Sequence, residues 1–323
     1  MKAMVHTRYG SPDFLELRDV DKPEPEDDQV LVEVRAASIN EWDWGRLMAR
    51  PFVNRVMFGL LRPRRKNRIL GCDISGRVEA IGSEIERFRP GDEVFGDLSG
   101  CGWGGFAEYV CAPEYVLALK SASMTFEQAS AMPQAGLLAL QGLLKGHIAR
   151  GRRVLVNGAG GGVGTFAIQI AKSFGTEVTG VDSAEKLEAM RSVGADHVID
   201  YTREDFTESG QTYDLILDVM ARRSLSDYRR SLSRNGTCIL VGGSTSVILK
   251  AVLFGGRGNK KIRLLLHHPN PDELVYLNEL FESGEVAPVV DGVYTLSELP
   301  GALRYYAEGH HKGKVVISMA DTI

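Results

Sequence analysis

The chain has 323 residues, 44% of them hydrophobic and 25% charged, with a formal net charge of −4. That is an ordinary globular composition with room for two domains, and it gives no electrostatic basis for nucleic-acid binding. No apolar run reaches the ~18 residues of a membrane helix, and Met1-Lys2-Ala3-Met4-Val5-His6 lacks the apolar core of a secretory leader, so no membrane association is expected.

The first 120 residues alternate in polarity over 29–35 and 76–81. They are punctuated by Pro23, Pro25, Pro90-Gly91, Gly96 and the glycines of 100–105. This pattern predicts antiparallel β structure with turns and few helices. Arg62-Pro63-Arg64-Arg65-Lys66-Asn67-Arg68 is a basic cluster in a loop. It reads first as a solvated surface and second as a rim attracting an anionic substrate or a cofactor phosphate. The four cysteines, Cys72, Cys101, Cys111 and Cys238, form neither a CxxC pair nor a disulfide framework, which fits a reducing cytoplasm.

From residue 154 onward one theme repeats. Short apolar runs at 154–156, 178–181, 197–199, 215–219, 238–241 and 262–266 are separated by helix-period segments at 165–174, 184–192, 223–232 and 247–254. Strands alternating with helices predict a parallel sheet covered on both faces, because parallel strands need crossover connections. The tail carries a helical stretch (297–308) and a closing strand (314–318) that are expected to return to the first domain. The predicted organisation is a catalytic domain of residues 1–122 and 286–323 around a dinucleotide-binding domain of residues 123–285.

The most informative stretch is Asn157-Gly158-Ala159-Gly160-Gly161-Gly162-Val163-Gly164. It follows an apolar run and opens an amphipathic one, so it sits between a strand and a helix. Glycines there allow a tight turn and let a pyrophosphate approach the backbone at a helix N-terminus. Asp182 stands eighteen residues past Gly164, at the end of the next apolar run, where a Rossmann unit places the acid that binds the adenine ribose.

Several ordered motifs resemble the medium-chain dehydrogenase/reductase superfamily. They are Ala37-Ser38-Ile39-Asn40-Glu41-Trp42-Asp43, Gly71-Cys72-Asp73-Ile74-Ser75-Gly76, Phe88-Arg89-Pro90-Gly91-Asp92-Glu93-Val94-Phe95-Gly96 and Gly105-Phe106-Ala107-Glu108-Tyr109, followed by the glycine turn, Gly194-Ala195-Asp196-His197-Val198-Ile199-Asp200-Tyr201 and Gly313-Lys314-Val315-Val316. Within it the chain is most similar to the zinc-free quinone oxidoreductase branch, particularly the reticulon-4-interacting-protein-like reductases. The resemblance implies an α/β fold in which a doubly wound Rossmann sheet is inserted into a GroES-like β domain. It also implies a cleft that holds the nicotinamide, and a homodimer joined through edge strands, here residues 262–266.

Zinc alcohol dehydrogenases of this superfamily fill their catalytic metal slots with thiolates and imidazole. The matching positions here are Asn40, Cys72-Asp73 and Gln134, and the structural zinc lobe retains only Cys101 and nearby Cys111. That set does not suit zinc. Without a Lewis acid, hydride transfer to an already electrophilic quinone or enone is the expected chemistry.

By the same resemblance, Asn40 lies in the pocket floor, and the alternative is a locally bonded loop-capping residue. Asp43 reads as holding that loop, and Trp44 as a pocket wall or a core aromatic. Gly158, Gly161, Gly162, Val163, Asp182, Ser183, Lys186, Tyr201, Val219, Gly242, Gly243 and Lys314 are the candidate cofactor contacts, with Lys314 reaching the phosphates. Asp182 would repel a 2′-phosphate, which leans the NAD(P)H site towards NADH, while Lys186 keeps NADPH open. Leu138 stands where relatives often have threonine, and Gly284-Glu285-Val286-Ala287 replaces a segment that is often lysine-bearing. Two other readings stay open: a nucleotide-binding sensor with little turnover, and a zinc alcohol dehydrogenase.

Overall fold

The computed structural model describes residues 1–50, 53–64, 68–256 and 258–320. The chain forms two compact units, one comprising Met1–Gln134, His268–Glu282 and Pro288–Ile323, the other Ala135–His267 and Ser283–Ala287.

The first unit begins with an antiparallel pair, β1 (Lys2–His6) and β2 (Leu15–Asp19). Its main sheet is built on β3 (Gln29–Ser38), which pairs antiparallel with β4 (Asp73–Ile81). Strand β4 in turn pairs with β5 (Glu93–Asp97); β6 (Tyr109–Pro113) lies on β3, and β7 (Leu117–Leu119) on β5. Between β3 and β4 the chain makes two short helices, α1 (Glu41–Leu47) and α2 (Val53–Phe58). At seven and six residues they are too short to carry a legible helical period.

Helix α3 (Phe126–Ala131) packs on β3 and β4, its approach allowed by the small buried side chains of Ala36 and Ala131. Ser75 Oγ donates to Phe126 O at 2.6 Å. These contacts keep α3 in the first unit, so the boundary falls at 134/135 and not at 122/123. Helix α4 (Pro133–Lys145) carries the chain from the first unit into the second.

The second unit contains six parallel strands: β8 (Arg153–Asn157), β9 (Glu177–Asp182), β10 (His197–Asp200), β11 (Tyr213–Asp218), β12 (Leu232–Leu240) and β13 (Lys261–Leu264). They lie in the order β10-β9-β8-β11-β12-β13. In chain order that is 3-2-1-4-5-6, the doubly wound dinucleotide-binding arrangement, whose switch point lies between β8 and β11. The connecting helices are α5 (Gly162–Ser173), α6 (Leu187–Ser192), α7 (Leu225–Ser231) and α8 (Thr245–Phe254). All six predicted strands are present.

Helix α9 (Pro271–Glu282) packs on β7, and its Asn278 accepts the Ser121 N–H at 3.2 Å, so residues 268–282 belong to the first unit and not to the nucleotide domain. Strand β14 (Val290–Thr295), helix α10 (Leu299–Glu308) and strand β15 (Lys314–Ser318) close that unit as expected. Strand β15 runs antiparallel to β3, with Val316 opposite Ser38. The buried core beneath this sheet includes Val32, Ile74, Phe88, Phe106, Leu303 and Val315.

Candidate active site

In the second unit the turn after β8 is held by backbone. Gly158 has φ +83°, and the N–H groups of Gly158 and Ala159 both donate to Val181 O, at 2.9 and 3.1 Å. Gly164 lies so close beneath the turn that a Cβ there would stand 2.2 Å from Gly158 O. Gly161 is the N-cap of α5, and the first intrahelical bond is Thr165 N to Gly161 O at 3.0 Å. The N–H groups of Gly162, Val163 and Gly164 are therefore the unpaired donors of a helix N-terminus, which suits a pyrophosphate.

Asp182 ends β9 beside this turn. Its carboxylate accepts from Gly160 N at 2.9 Å and from Ser183 N at 2.8 Å, and Lys186 Nζ lies 3.9 Å away. The Lys186 side chain is buried, its stem laid over Gly160. Tyr201 N donates to Asp182 O at 3.1 Å, while the Tyr201 side chain is half exposed. Across the switch point Val219 N donates to Asn157 O at 3.0 Å, and Gly242 has open space where a Cβ would stand. Gly243 follows with φ +124°. Eleven of the twelve predicted contacts thus gather at the turn, the end of β9 and the neighbouring strand ends.

Sequence reasoning missed Asp218. Its fully buried carboxylate accepts from Met220 N (2.8 Å), Ala221 N (2.7 Å), Asn157 Nδ2 (2.9 Å) and Tyr228 Oη (2.8 Å). It ties the end of β11 to the end of β8, and burial pushes its pKa up. The available signal was an acid closing the apolar run Leu215-Ile216-Leu217.

In the first unit a different pocket is built from distant side chains. Lys314, predicted to reach cofactor phosphates, is instead 3% exposed, with its ammonium inside this unit. It donates to Ile39 O at 3.1 Å and to Asn40 Oδ1, and lies 3.3 Å from Asp73 Oδ2. Three acceptors match three ammonium hydrogens, which leaves none for a phosphate.

Asn40 is also buried, and its amide is fully engaged. Nδ2 lies 3.0 Å from Asp73 Oδ2 and 3.3 Å from both Cys72 Sγ and Ser38 O. Asn40 is the N-cap of α1, its N–H bonded to Asp43, but its amide also reaches the distant Asp73, Cys72 and Lys314, so it is more than a locally bonded cap. Gln134 completes the ring, its N–H 3.0 Å from Asp73 Oδ1 and its Nε2 3.4 Å from Cys72 Sγ.

Asp43 holds the loop as expected, accepting from Asn40 N and Gly71 N at 2.8 Å each. Burial pushes its pKa to about 7. Burial also raises Cys72 well above a normal thiol and lifts Asp73, while the Lys314 ammonium pulls Asp73 back down. Trp44 is half buried against the core of this unit. Arg46, two residues further on, stacks between Phe58 and Trp103 at 3.9 and 4.1 Å. Of the basic cluster, Arg62 and Arg64 are exposed, and Arg68 O anchors His6 Nδ1 at 2.9 Å; Arg65, Lys66 and Asn67 lie outside the described residues.

A doubly wound sheet with a glycine turn at its switch point, joined to a GroES-like β unit, defines a nicotinamide-dinucleotide oxidoreductase. Comparison with known proteins agrees. Residues 26–122 match the alcohol dehydrogenase GroES-like domain, residues 125–220 the alanine dehydrogenase/PNT C-terminal domain, and residues 193–317 the zinc-binding dehydrogenase family. A 2-methylene-furan-3-one reductase of Solanum lycopersicum is 34% identical over 98% of this chain and 79% of its own. An NADPH-dependent alkenal/one oxidoreductase of Arabidopsis thaliana is 33% identical over the same shares. The solved quinone oxidoreductase of Coxiella burnetii superposes with a TM-score of 0.90 at 30% identity, covering 99% of each chain. The chain belongs to the medium-chain dehydrogenase/reductase superfamily, and its relatives support the zinc-free oxidoreductase branch.

Proposed function

We propose that the protein is a metal-independent reductase that transfers a hydride from NAD(P)H to a quinone or an α,β-unsaturated carbonyl. The observation that carries this reading is the donor set at the family's metal position. Two amides, a buried thiol and a carboxylate already paired with an ammonium do not fit zinc, which prefers thiolate and neutral imidazole. An acceptor that needs no Lewis acid follows from that chemistry.

When bound, the nicotinamide supplies the hydride. The chain's own part is to hold and orient: the N–H groups of 162–164 would take the pyrophosphate and Asp182 the ribose, with Val219, Gly242 and Gly243 at the strand ends beside them. Hydride added to the β-carbon of an enone leaves an enolate, which takes its proton from water. The test is a steady-state comparison of 1,4-benzoquinone, an enone and a simple aldehyde, with and without chelator. Activity confined to the aldehyde, or lost to the chelator, overturns the reading.

For the cofactor we infer a preference for NADH with NADPH accepted, because Lys186 partly neutralises the carboxylate that would repel a 2′-phosphate. We also infer a homodimer. Strand β13 is the sheet edge, and beside it α8 exposes Leu249, Val252, Leu253 and Phe254. An apolar face next to an open edge suits a second copy of this chain. Light scattering that gives a monomer at micromolar concentration refutes it.

A second reading has one observation in its favour. The Asn40 amide, the polar group expected to meet an acceptor, is fully bonded within its own unit. A nucleotide-binding sensor needs no such free group. Tight NAD(P)H binding without turnover of any quinone or enone would select it.

A further inference from the structure

Among the described residues, the ligand atoms of Cys72, Asp73 and Asp97 lie within 4.8 Å of one another, all three side chains buried. A thiol and two carboxylates at that spacing could hold a divalent cation. Yet a cation is already present, because the Lys314 ammonium stands 3.3 Å from Asp73 Oδ2 and donates to Asn40 Oδ1. Asp97 Oδ1 accepts Ser99 N at 2.8 Å, and Gln134 Nε2 and Asn40 Nδ2 both face Cys72 Sγ. Two amide donors directed at the sulfur and an ammonium at the Asp73 carboxylate oppose an incoming metal with positive charge and competing donors.

We propose that Lys314 is the built-in cation of this pocket: it neutralises Asp73, fixes the Asn40 amide, and excludes a divalent metal from Cys72, Asp73 and Asp97. Physically, a buried carboxylate needs a counter-charge. A tethered ammonium supplies it at every moment, whereas a metal must be recruited and requires a deprotonated thiol. Lys314 is thus a positioning residue, reaching the reaction only through the loop it holds. The proposal deepens the metal-independent reading and rests on the same donor set, but it is read by bound metal, whereas that reading is tested by turnover and chelator sensitivity, so the two failures are told apart.

The experiment is a Co²⁺ titration of the purified full chain, read by near-ultraviolet thiolate-to-cobalt absorption and by metal content after dialysis. The wild type is expected to show no thiolate band and no retained metal. Lys314→Met is expected to retain one Co²⁺ per chain with such a band, and Lys314→Met combined with Cys72→Ser to lose it. The Kd of NADH, followed by fluorescence, should change less than twofold in Lys314→Met while kcat falls; a tenfold weaker Kd would restore a phosphate contact. A thiolate band in the wild type overturns the proposal whether or not the variant folds. A folded Lys314→Met chain that retains no Co²⁺ overturns it as well.

Discussion

The two pockets of this protein are made in opposite ways. The nucleotide turn is local and built from backbone: Gly160 N reaches Asp182 across 22 residues, and the remaining donors are consecutive N–H groups at the start of α5. The Lys314 pocket is non-local and built from side chains, its ammonium meeting Asn40 across 274 residues and Asp73 across 241. A backbone site tolerates any side chain that leaves room for it. A side-chain site depends on each partner's identity but leaves the surrounding sequence free.

The sharpest way to break this contrast is to crowd the backbone site. Gly164→Val puts carbon against Gly158 O and Ala159, and is expected to cost about 3 kcal/mol and abolish NAD(P)H binding, read by urea unfolding and cofactor fluorescence. Wild-type affinity in that variant would show that the turn does not depend on close packing. Asp218→Ala comes next, at about 2 kcal/mol, because it strands two backbone donors, Asn157 and Tyr228. An unchanged urea midpoint would show that the switch point is held elsewhere.

Smaller effects separate charge from shape at the turn. Asp182→Asn is expected to raise the NADPH-to-NADH ratio of kcat/KM about tenfold, or about 1.4 kcal/mol, and Lys186→Met to lower it. A shift in the same direction for both would dissolve the pairing.

The smallest effect is a net pH slope, because two buried groups oppose each other. Asp43 has a folded pKa of about 7, above its unfolded value, so the folded state holds an extra proton and stability falls as pH rises from about 4 to 7. His6 is held at about 4 by burial, below its unfolded value, so its contribution is full above about 6.5 and is lost as pH falls towards 4. Melting temperatures across pH 5–8 should show Asp43→Asn gaining on the wild type as pH rises. His6→Gln should gain as pH falls. Parallel curves for all three proteins would show that neither group titrates as its burial requires.

The sequence made the nucleotide unit legible because its signals are local. Each strand is a short apolar run, the glycines sit where the turn needs them, and the topology follows from right-handed crossovers. The short helices α1 and α2 escaped because tertiary packing, and not periodicity, holds them. Helix α9 was assigned to the wrong unit because a helical pattern does not say what it packs against, and Asn278 reports that only through Ser121. Lys314 was read as a phosphate ligand from the resemblance of Gly313-Lys314 to a family motif, and only the placing of β15 beside β3 brings its ammonium to Asn40 and Asp73. Asp73 was noticed as a metal slot but not as the centre of four donors, since Ser38, Asn40, Gln134 and Lys314 converge on it only in three dimensions.

The pairing of β15 with β3 also fixes an order of assembly. During synthesis the six strands of the nucleotide sheet are complete once Leu264 has emerged, about fifty residues before β15. Strand β3, made much earlier, must wait for β15 to cover residues 36–38. Until then Asp73 has no counter-charge and Asn40 no anchor for its carbonyl. The nascent protein therefore passes through a stage in which the six strands of its nucleotide sheet are made and its first unit is still open along the edge that β15 will close.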